Sequence, residues 1–429
     1  MPHATLFDPY DEMPYRCVPI EWTAPERLAL ASLLHGGPRA SLRRYRLLEL
    51  GCGDASNLLP MAYFRRDSSF VGIDGSRVNV EAAHRLQQHA DIANLQVLHA
   101  DLRDADDRLT GQFDYIVAHG VFSWVERETR DALLALCEKR LALGGLLYLN
   151  YNCQPGWSVR GLVRRFLLAQ TQDEFGLAAR ARRAQTVAAE MAGAMQRSAE
   201  AESHPYAALM AREFTFIDEH DASYIAHEYL AEHNEAYWRS DFLALMAQHG
   251  FAHVADADFN YGSGRLHEDT SEWLALRGFA AGAIEDSIDL MNYRQLHSPI
   301  LTQRLWTRRD ATPAELAELR AASCCKPLGE GSMMLLHPSG YEVEARDPVM
   351  WQALVRLHSI WPGSLPLQEL FIVVPEALPD LLLLQRNGLI ELRCVEPAAV
   401  DESALAALEA PRGYVTTRYH TRISPPGSD

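Results

Sequence analysis

Along the first 150 residues, short apolar runs alternate with longer stretches of helical spacing. The run at 47–50, Leu-Leu-Glu-Leu, reads as a buried strand interrupted by one acid. An amphipathic stretch over 57–64 follows, and then a second strand at 70–74, Phe-Val-Gly-Ile-Asp. Further strands are predicted at 95–99 and 113–118, with a helix from about 128 to 141. Gly144-Gly145 then turns the chain into a fifth strand over 146–151. This alternation predicts an α/β, Rossmann-like parallel sheet with helices on both faces.

The pattern changes past Trp157. Residues 160–240 are rich in Ala, Arg, Glu and Leu, contain only Pro205 as a proline, and read as helices with a break at 198–205. A helix over 240–249 stops at Gly250, Gly262-Ser263-Gly264 marks a loop, and helices resume through 301. This second, mainly helical domain carries no recognisable chemistry of its own. From Lys326 a short strand (333–336), a helix capped by Asp347, further helices near 367–371 and 381–385, and a strand over 388–395 suggest a winged-helix-like module. The expected division is therefore 1–160, 161–325 and 326–422, with a disordered tail over 423–429.

Chemistry enters at the end of the first strand. Glu49-Leu50-Gly51-Cys52-Gly53 places an acid two residues before a Gly-x-Gly turn, the signature of a pocket for S-adenosylmethionine. A phosphate cradle would use bare amides and usually a Lys, and this turn has no Lys. A carboxylate here favours the cationic amino acid end of the cofactor, and glycines let the backbone approach it closely. A buried carboxylate is costly without a partner, so Glu49 resists a purely structural explanation. Asn57 opens the following helix beside it.

Asp74 lies about 20 residues beyond the glycine turn, the spacing at which an acid reaches a ribose hydroxyl. Asp101 could meet an adenine amino group, with Leu102 under the ring. Both aspartates also stand where helix N-caps stand. His119, Asn150 and Asn152 fall at later strand ends, and ligands in such sheets bind beyond the carboxyl ends of the strands.

Composition narrows the partners. A net charge of −17 repels phosphate and disfavours a nucleic acid substrate. The six arginines between 158 and 183 have helical spacing and read as a solvated helix face. Residues 326–429 hold eight basic and thirteen acidic residues, which argues against DNA binding by a winged-helix module. The sequence suits a cationic protein or peptide better. Seven scattered cysteines form no disulfide framework or metal spacing, so no metal is expected. The opening Met1-Pro2-His3-Ala4 lacks the features of a signal peptide, and no apolar stretch approaches a membrane span. A cytoplasmic protein without membrane partners is the expectation.

Several strings carry a family resemblance. They are Tyr10-Asp11-Glu12-Met13-Pro14-Tyr15, the Glu49 to Gly53 motif, His119-Gly120-Val121-Phe122-Ser123-Trp124-Val125, Tyr151-Asn152-Cys153-Gln154-Pro155-Gly156-Trp157 and Glu232-His233-Asn234-Glu235. Through them the chain resembles class I S-adenosylmethionine-dependent methyltransferases with a methyltransferase regulatory domain, a group that includes rickettsial protein lysine methyltransferases. Position 153 and the segment 291–295 depart from the family pattern.

The resemblance implies methyl transfer, with S-adenosylhomocysteine as product and helices shaping access. It implies that Tyr10 or Tyr15 closes over the cofactor, that Phe122, Trp124 and Trp157 line the acceptor side, and that Tyr151 and Asn152 at its edge serve catalysis. For a lysine acceptor, an aromatic pocket lowers the amine pKa while nearby carboxylates raise it. His119 is the one general base the sequence offers. Two other functions compete with a protein substrate: methylation of a small metabolite at O, S or N, and non-catalytic cofactor binding as a scaffold.

Overall fold

The computed structural model describes residues 9–396 apart from 16, 203, 259–268, 305, 307–308, 330–331 and 371–376. The predicted Gly262-Ser263-Gly264 loop and the 423–429 tail lie outside the described residues.

One seven-stranded sheet organises the chain. Its strands are β1 (Arg46–Leu50), β2 (Ser69–Asp74), β3 (Leu95–His99), β4 (Phe113–Ala118) and β5 (Leu141–Leu149), followed much later by β7 (Phe251–Asp256) and β9 (Pro299–Gln303). The short strands β6 (Tyr151–Asn152) and β8 (Leu296–His297) pair with each other at the sheet's end. The spatial order is β3-β2-β1-β4-β5-β9-β7, and β9 alone runs against its neighbours. β1 is central, with Leu48 opposite Val71 on one side and Ile116 on the other.

Alternate strand residues serve opposite faces. Leu47, Tyr115 and Leu146 join one apolar cluster, while Leu48, Ile116 and Leu147 join the other. The first face is covered by α2 (Pro25–Leu34), α3 (Leu58–Phe64) and α4 (Arg77–His89); the second by α5 (Arg127–Arg140) and α10 (Arg239–Gln248). Each Leu or Phe fully buried in this way contributes about 1.5–3 kcal/mol.

The predicted strands and helices of the first 150 residues are all present, with one extension. β5 begins at Leu141 rather than 146, and its pairing with β4 shifts register between Phe113 and Tyr115. The expected boundary at 160 needs correction, because β7 and β9 complete the first domain's sheet. The helices α6 (Gly156–Gln170), α7 (Leu177–Glu202), α8 (Pro205–Asp218) and α9 (Ala222–Tyr229) form an insertion between β5 and β7. They have a separate core that includes Leu167, Ala184, Phe214 and Ile225. α11 (Asp269–Leu276) and α12 (Ala281–Asn292) precede β8.

Beyond residue 310, two three-stranded antiparallel sheets accompany helices Pro348–Ile360 and Ala377–Arg386. Strands precede as well as follow these helices, and the strand expected over 388–395 covers only Glu391–Arg393, so a winged-helix arrangement is not established. Leu354, Leu357 and Leu392 share the apolar cluster of Leu28 and Leu47, so this module is docked on the α2 face. Among the described residues, no helix is long and apolar enough to cross a membrane.

Candidate active site

A cleft of about 2800 Å³ opens over the carboxyl ends of β1, β2 and β4, walled on its far side by the inserted helices. At its floor, Gly51 and Gly53 adopt φ of +70° and +54°. A Cβ at Gly51 would meet Val121 Cγ2 at 2.4 Å, and one at Gly53 would meet Cys17 Sγ at 2.4 Å. The turn therefore needs glycine for conformation and for space.

Glu49 stands immediately before this turn and is only 4% exposed. Its Oε1 accepts a hydrogen bond from Asn57 Nδ2 at 2.8 Å, while its Oε2 is buried without a partner among the described residues. Burial pushes its pKa up to about 8, Asn57 pulls it back, and the charges of Asp74 and Asp54 add to the rise. Asn57 also donates to Thr23 Oγ1 at 2.9 Å and accepts from the Ile20 amide at 2.8 Å. It holds Glu49 in place, and its own donors and acceptor are engaged within the protein.

Asp74 ends β2 and does not cap α4. Its two oxygens accept from the Gly53 amide at 2.7 Å and the Ser76 amide at 2.9 Å, while Ser76 caps the helix. Asp101 accepts from the Arg103 amide at 2.8 Å and pairs with the Arg103 guanidinium at 2.5 Å. Leu102 lines the cleft beside it.

The N-terminal segment lies across the opening. In α1 (Pro9–Glu12), Asp11 accepts from Ser76 Oγ at 2.7 Å, while Glu12 accepts from the Leu177 amide at 2.8 Å. Tyr10 stacks on His227 of α9, Tyr15 meets the same ring edge-on, and His227 contacts the Met13 carbonyl at 2.6 Å. The strap thus joins the sheet to the inserted helices.

On the acceptor side, Trp124 and Trp157 form a T-shaped pair with centroids 5.3 Å apart. The backbone N–H of Asn152 donates to Ser123 Oγ at 2.9 Å, but its Nδ2 is buried without an acceptor among the described residues. Tyr151 borders the cleft, yet its ring stacks on Phe242 at 3.7 Å in the core.

Phe122 corrects the expectation of a pocket wall. It is fully buried, packs against Tyr237 and Phe242, and does not line the cleft. The 3₁₀ turn Phe122–Trp124 sends its first residue inward and its third toward the cleft. His119 is half-buried, with Nδ1 2.9 Å from Tyr148 Oη, and burial lowers its pKa to about 4. Its imidazole is neutral at pH 7 and a weak proton acceptor.

The helical region also brings chemistry that its sequence did not reveal. Arg160, Tyr224, His227 and Glu228 all line the cleft. Arg160 pairs with Glu213 at 3.3 Å and lies 4.6 Å over the Phe216 ring. The nearest sequence signal was the acid pair Asp11-Glu12 within the Tyr10 to Tyr15 string.

The sheet order, glycine turn and strand-end acids define a class I methyltransferase fold. Residues 48–147 match the model described as "Methyltransferase domain", and residues 221–302 match "Predicted methyltransferase regulatory domain". The two matches fall on separate segments, the first on the parallel strands and the second from α9 to β9.

Among curated relatives, the uncharacterized protein RP789 of Rickettsia prowazekii is 28% identical over 253 residues, covering 59% of this chain and 45% of that protein. RP028 of the same organism is 29% identical over 234 residues, covering 54% of this chain and 92% of that one. Among solved structures, PKMT2 from Rickettsia typhi in complex with AdoHcy superposes with a TM-score of 0.79 at 22% identity. That match covers 96% of this chain and 86% of PKMT2, and at this identity the likeness is one of fold.

Proposed function

We propose that the chain transfers a methyl group from S-adenosylmethionine to a nucleophile of a protein or peptide, with a lysine amine as the favoured acceptor. The observation that carries this reading is the unpartnered Oε2 of Glu49 beside a turn that admits only glycine. A buried carboxylate oxygen is costly until a cation or donor reaches it. The amino acid end of the cofactor supplies such a cation.

Asp74 is suited to the ribose and Asp101 with Leu102 to the adenine, while Tyr10 and Tyr15 cover the site from the strap. When bound, the cofactor supplies an electrophilic methyl group on a sulfonium. The protein's own contribution is alignment and exclusion of water. Trp124 and Trp157 provide an apolar wall that disfavours an ammonium and lowers its pKa. His119, held neutral against Tyr148, acts as a hydrogen-bonding wall residue.

Size and charge support a polypeptide acceptor. The cleft exceeds the roughly 300–1,000 Å³ of an ordinary small-molecule pocket. Nine acidic side chains line it against four arginines, in keeping with a cationic partner. The test has two parts: calorimetric titration with S-adenosylhomocysteine, and incubation with methyl-labelled cofactor and a bacterial lysate resolved by size. Label in macromolecules supports the reading; label confined to small molecules points to a metabolite, and no uptake of S-adenosylhomocysteine refutes the whole.

A further inference from the structure

We propose that Glu228, on the helical insertion, is the group that receives the acceptor ammonium and takes a proton from it. This deepens the lysine methylation reading and rests on it.

Glu228 is the penultimate residue of α9, half-buried, and lines the cleft wall opposite the sheet. The other acids of the inner cleft have partners or an assigned ligand. Glu12 holds the Leu177 amide, Asp74 two backbone amides and Asp101 Arg103, while Glu49 binds Asn57 through one oxygen and turns the other to the cofactor's ammonium in the reading above. No described residue hydrogen-bonds to Glu228 or forms an ion pair with it.

The one nearby cation that moderates its charge, Arg160, is already committed to Glu213 at 3.3 Å, and Tyr293 donates to that same Glu213 at 3.0 Å. Glu228 is thus a carboxylate with acceptor capacity and no donor, inside a cleft. That is the complement of an ammonium group.

Its surroundings come from four elements. Tyr15 faces it from the strap, Tyr224 and Tyr229 from its own helix, and Arg160 from α6, with Glu213 of α8 behind that arginine. The three phenols remain neutral because burial raises each of them. Aromatic faces beside a carboxylate favour an organic cation at the point of entry. Burial also raises Glu228 to about 7, with Arg160 opposing, which matches a proton acceptor working near neutrality. His119, at about 4, is far less suited to the task.

The step is a single proton transfer. One N–H bond of the substrate ammonium breaks, an O–H bond forms at the Glu228 carboxylate, and the lone pair stays on nitrogen. The proton leaves to solvent through the open cleft before the next cycle. In water at pH 7, removing that proton from lysine costs about 4–5 kcal/mol; Glu228 supplies the acceptor inside the cleft, and the apolar Trp124 and Trp157 wall lowers the amine pKa. The regulatory segment would then furnish a reacting group as well as a wall.

The probe is Nα-acetyl-lysine methylamide, titrated into the full chain between pH 6 and 9 and followed by NMR of its ε-methylene, with and without S-adenosylhomocysteine. The wild-type chain should bind it more tightly as pH rises from 6 to 8. Glu228→Gln should weaken binding at pH 8 by about 10–100-fold and abolish that rise, while Glu228→Asp restores part of both. Unchanged affinity for S-adenosylhomocysteine in the variants shows that the fold is intact. The proposal is overturned if the wild-type chain fails to bind the probe, or if Glu228→Gln retains its affinity and pH dependence. Failure to bind S-adenosylhomocysteine would instead remove the methyltransferase reading and, with it, the proton-transfer role, while the titration without it still decides whether Glu228 receives an ammonium.

Discussion

Tyr10 lies flat on His227, with ring centroids 4.2 Å apart and planes inclined by only 7°. These residues are the seal between the strap and the inserted helices. An aromatic pair of this kind is worth about 0.5–1.5 kcal/mol beyond its burial. His227→Ala should therefore accelerate dissociation of S-adenosylhomocysteine by up to roughly tenfold. It should also raise hydrogen exchange over residues 10–15, measured by stopped-flow release and mass spectrometry.

Glu49→Gln should separate binding from stability. The variant keeps the contact with Asn57 but loses the charge, so affinity for S-adenosylhomocysteine should fall about 100-fold. Its effect on the unliganded fold has the opposite sign. The folded pKa is raised to about 8 from the usual 4.5, so ionisation of Glu49 costs stability as pH climbs through that interval. The penalty is absent below 4.5 and complete above 8. Urea melts should find the variant about 1–3 kcal/mol more stable than wild type at pH 9 and equal to it at pH 4.

The same ionisation links ligand to proton. Near pH 7 the empty site holds Glu49 mostly protonated, whereas a bound ammonium requires its carboxylate. Binding of S-adenosylhomocysteine should release up to one proton, and affinity should weaken by as much as about tenfold per unit of pH below 7. Calorimetry in two buffers of different ionisation enthalpy measures that release directly.

Gly53→Ala tests the close approach of the strap to the turn. The added Cβ would lie 2.4 Å from Cys17 Sγ at a φ of +54°, and together these should cost about 1–3 kcal/mol. The double variant with Cys17→Gly should recover the steric share and leave roughly 1 kcal/mol of backbone strain. Chemical denaturation of the four proteins supplies the cycle.

His119→Ala should leave the pH profile of methyl transfer unchanged, because its imidazole is already neutral across the working range. A shifted profile would restore His119 as the base. Phe122→Ala, by contrast, should act through stability alone, at about 3–5 kcal/mol, as its ring is fully enclosed by core neighbours.

The parallel strands were readable because burial on both faces makes them near-continuous apolar runs, as in the stretch from Tyr115 to Ala118. Glu49 was readable because it interrupts such a run. Phe122 was not, since a short 3₁₀ turn breaks the strand periodicity that would have pointed it inward. Glu228 was hidden among acids spaced along a helix, where a solvated face is the ordinary meaning of a charge. Only the long-range packing of α9 against the strap gives it a different one. The missing sheet strands were obscure for a related reason: a long, mainly helical stretch separates β7 from β5.

The pairing of β5 with β9 has an engineering corollary. The segment conventionally assigned to methyl transfer is not a self-sufficient excisable piece, for Leu147 and Tyr148 rely on Leu301 and Ile300 from more than 150 positions downstream. A shortened gene product ending near 160 would bare a raw, apolar ladder of amides and carbonyls, inviting self-association. Anyone wishing to isolate the cofactor-binding half should therefore splice 249–303 back onto it, replacing the helical excursion with a short linker.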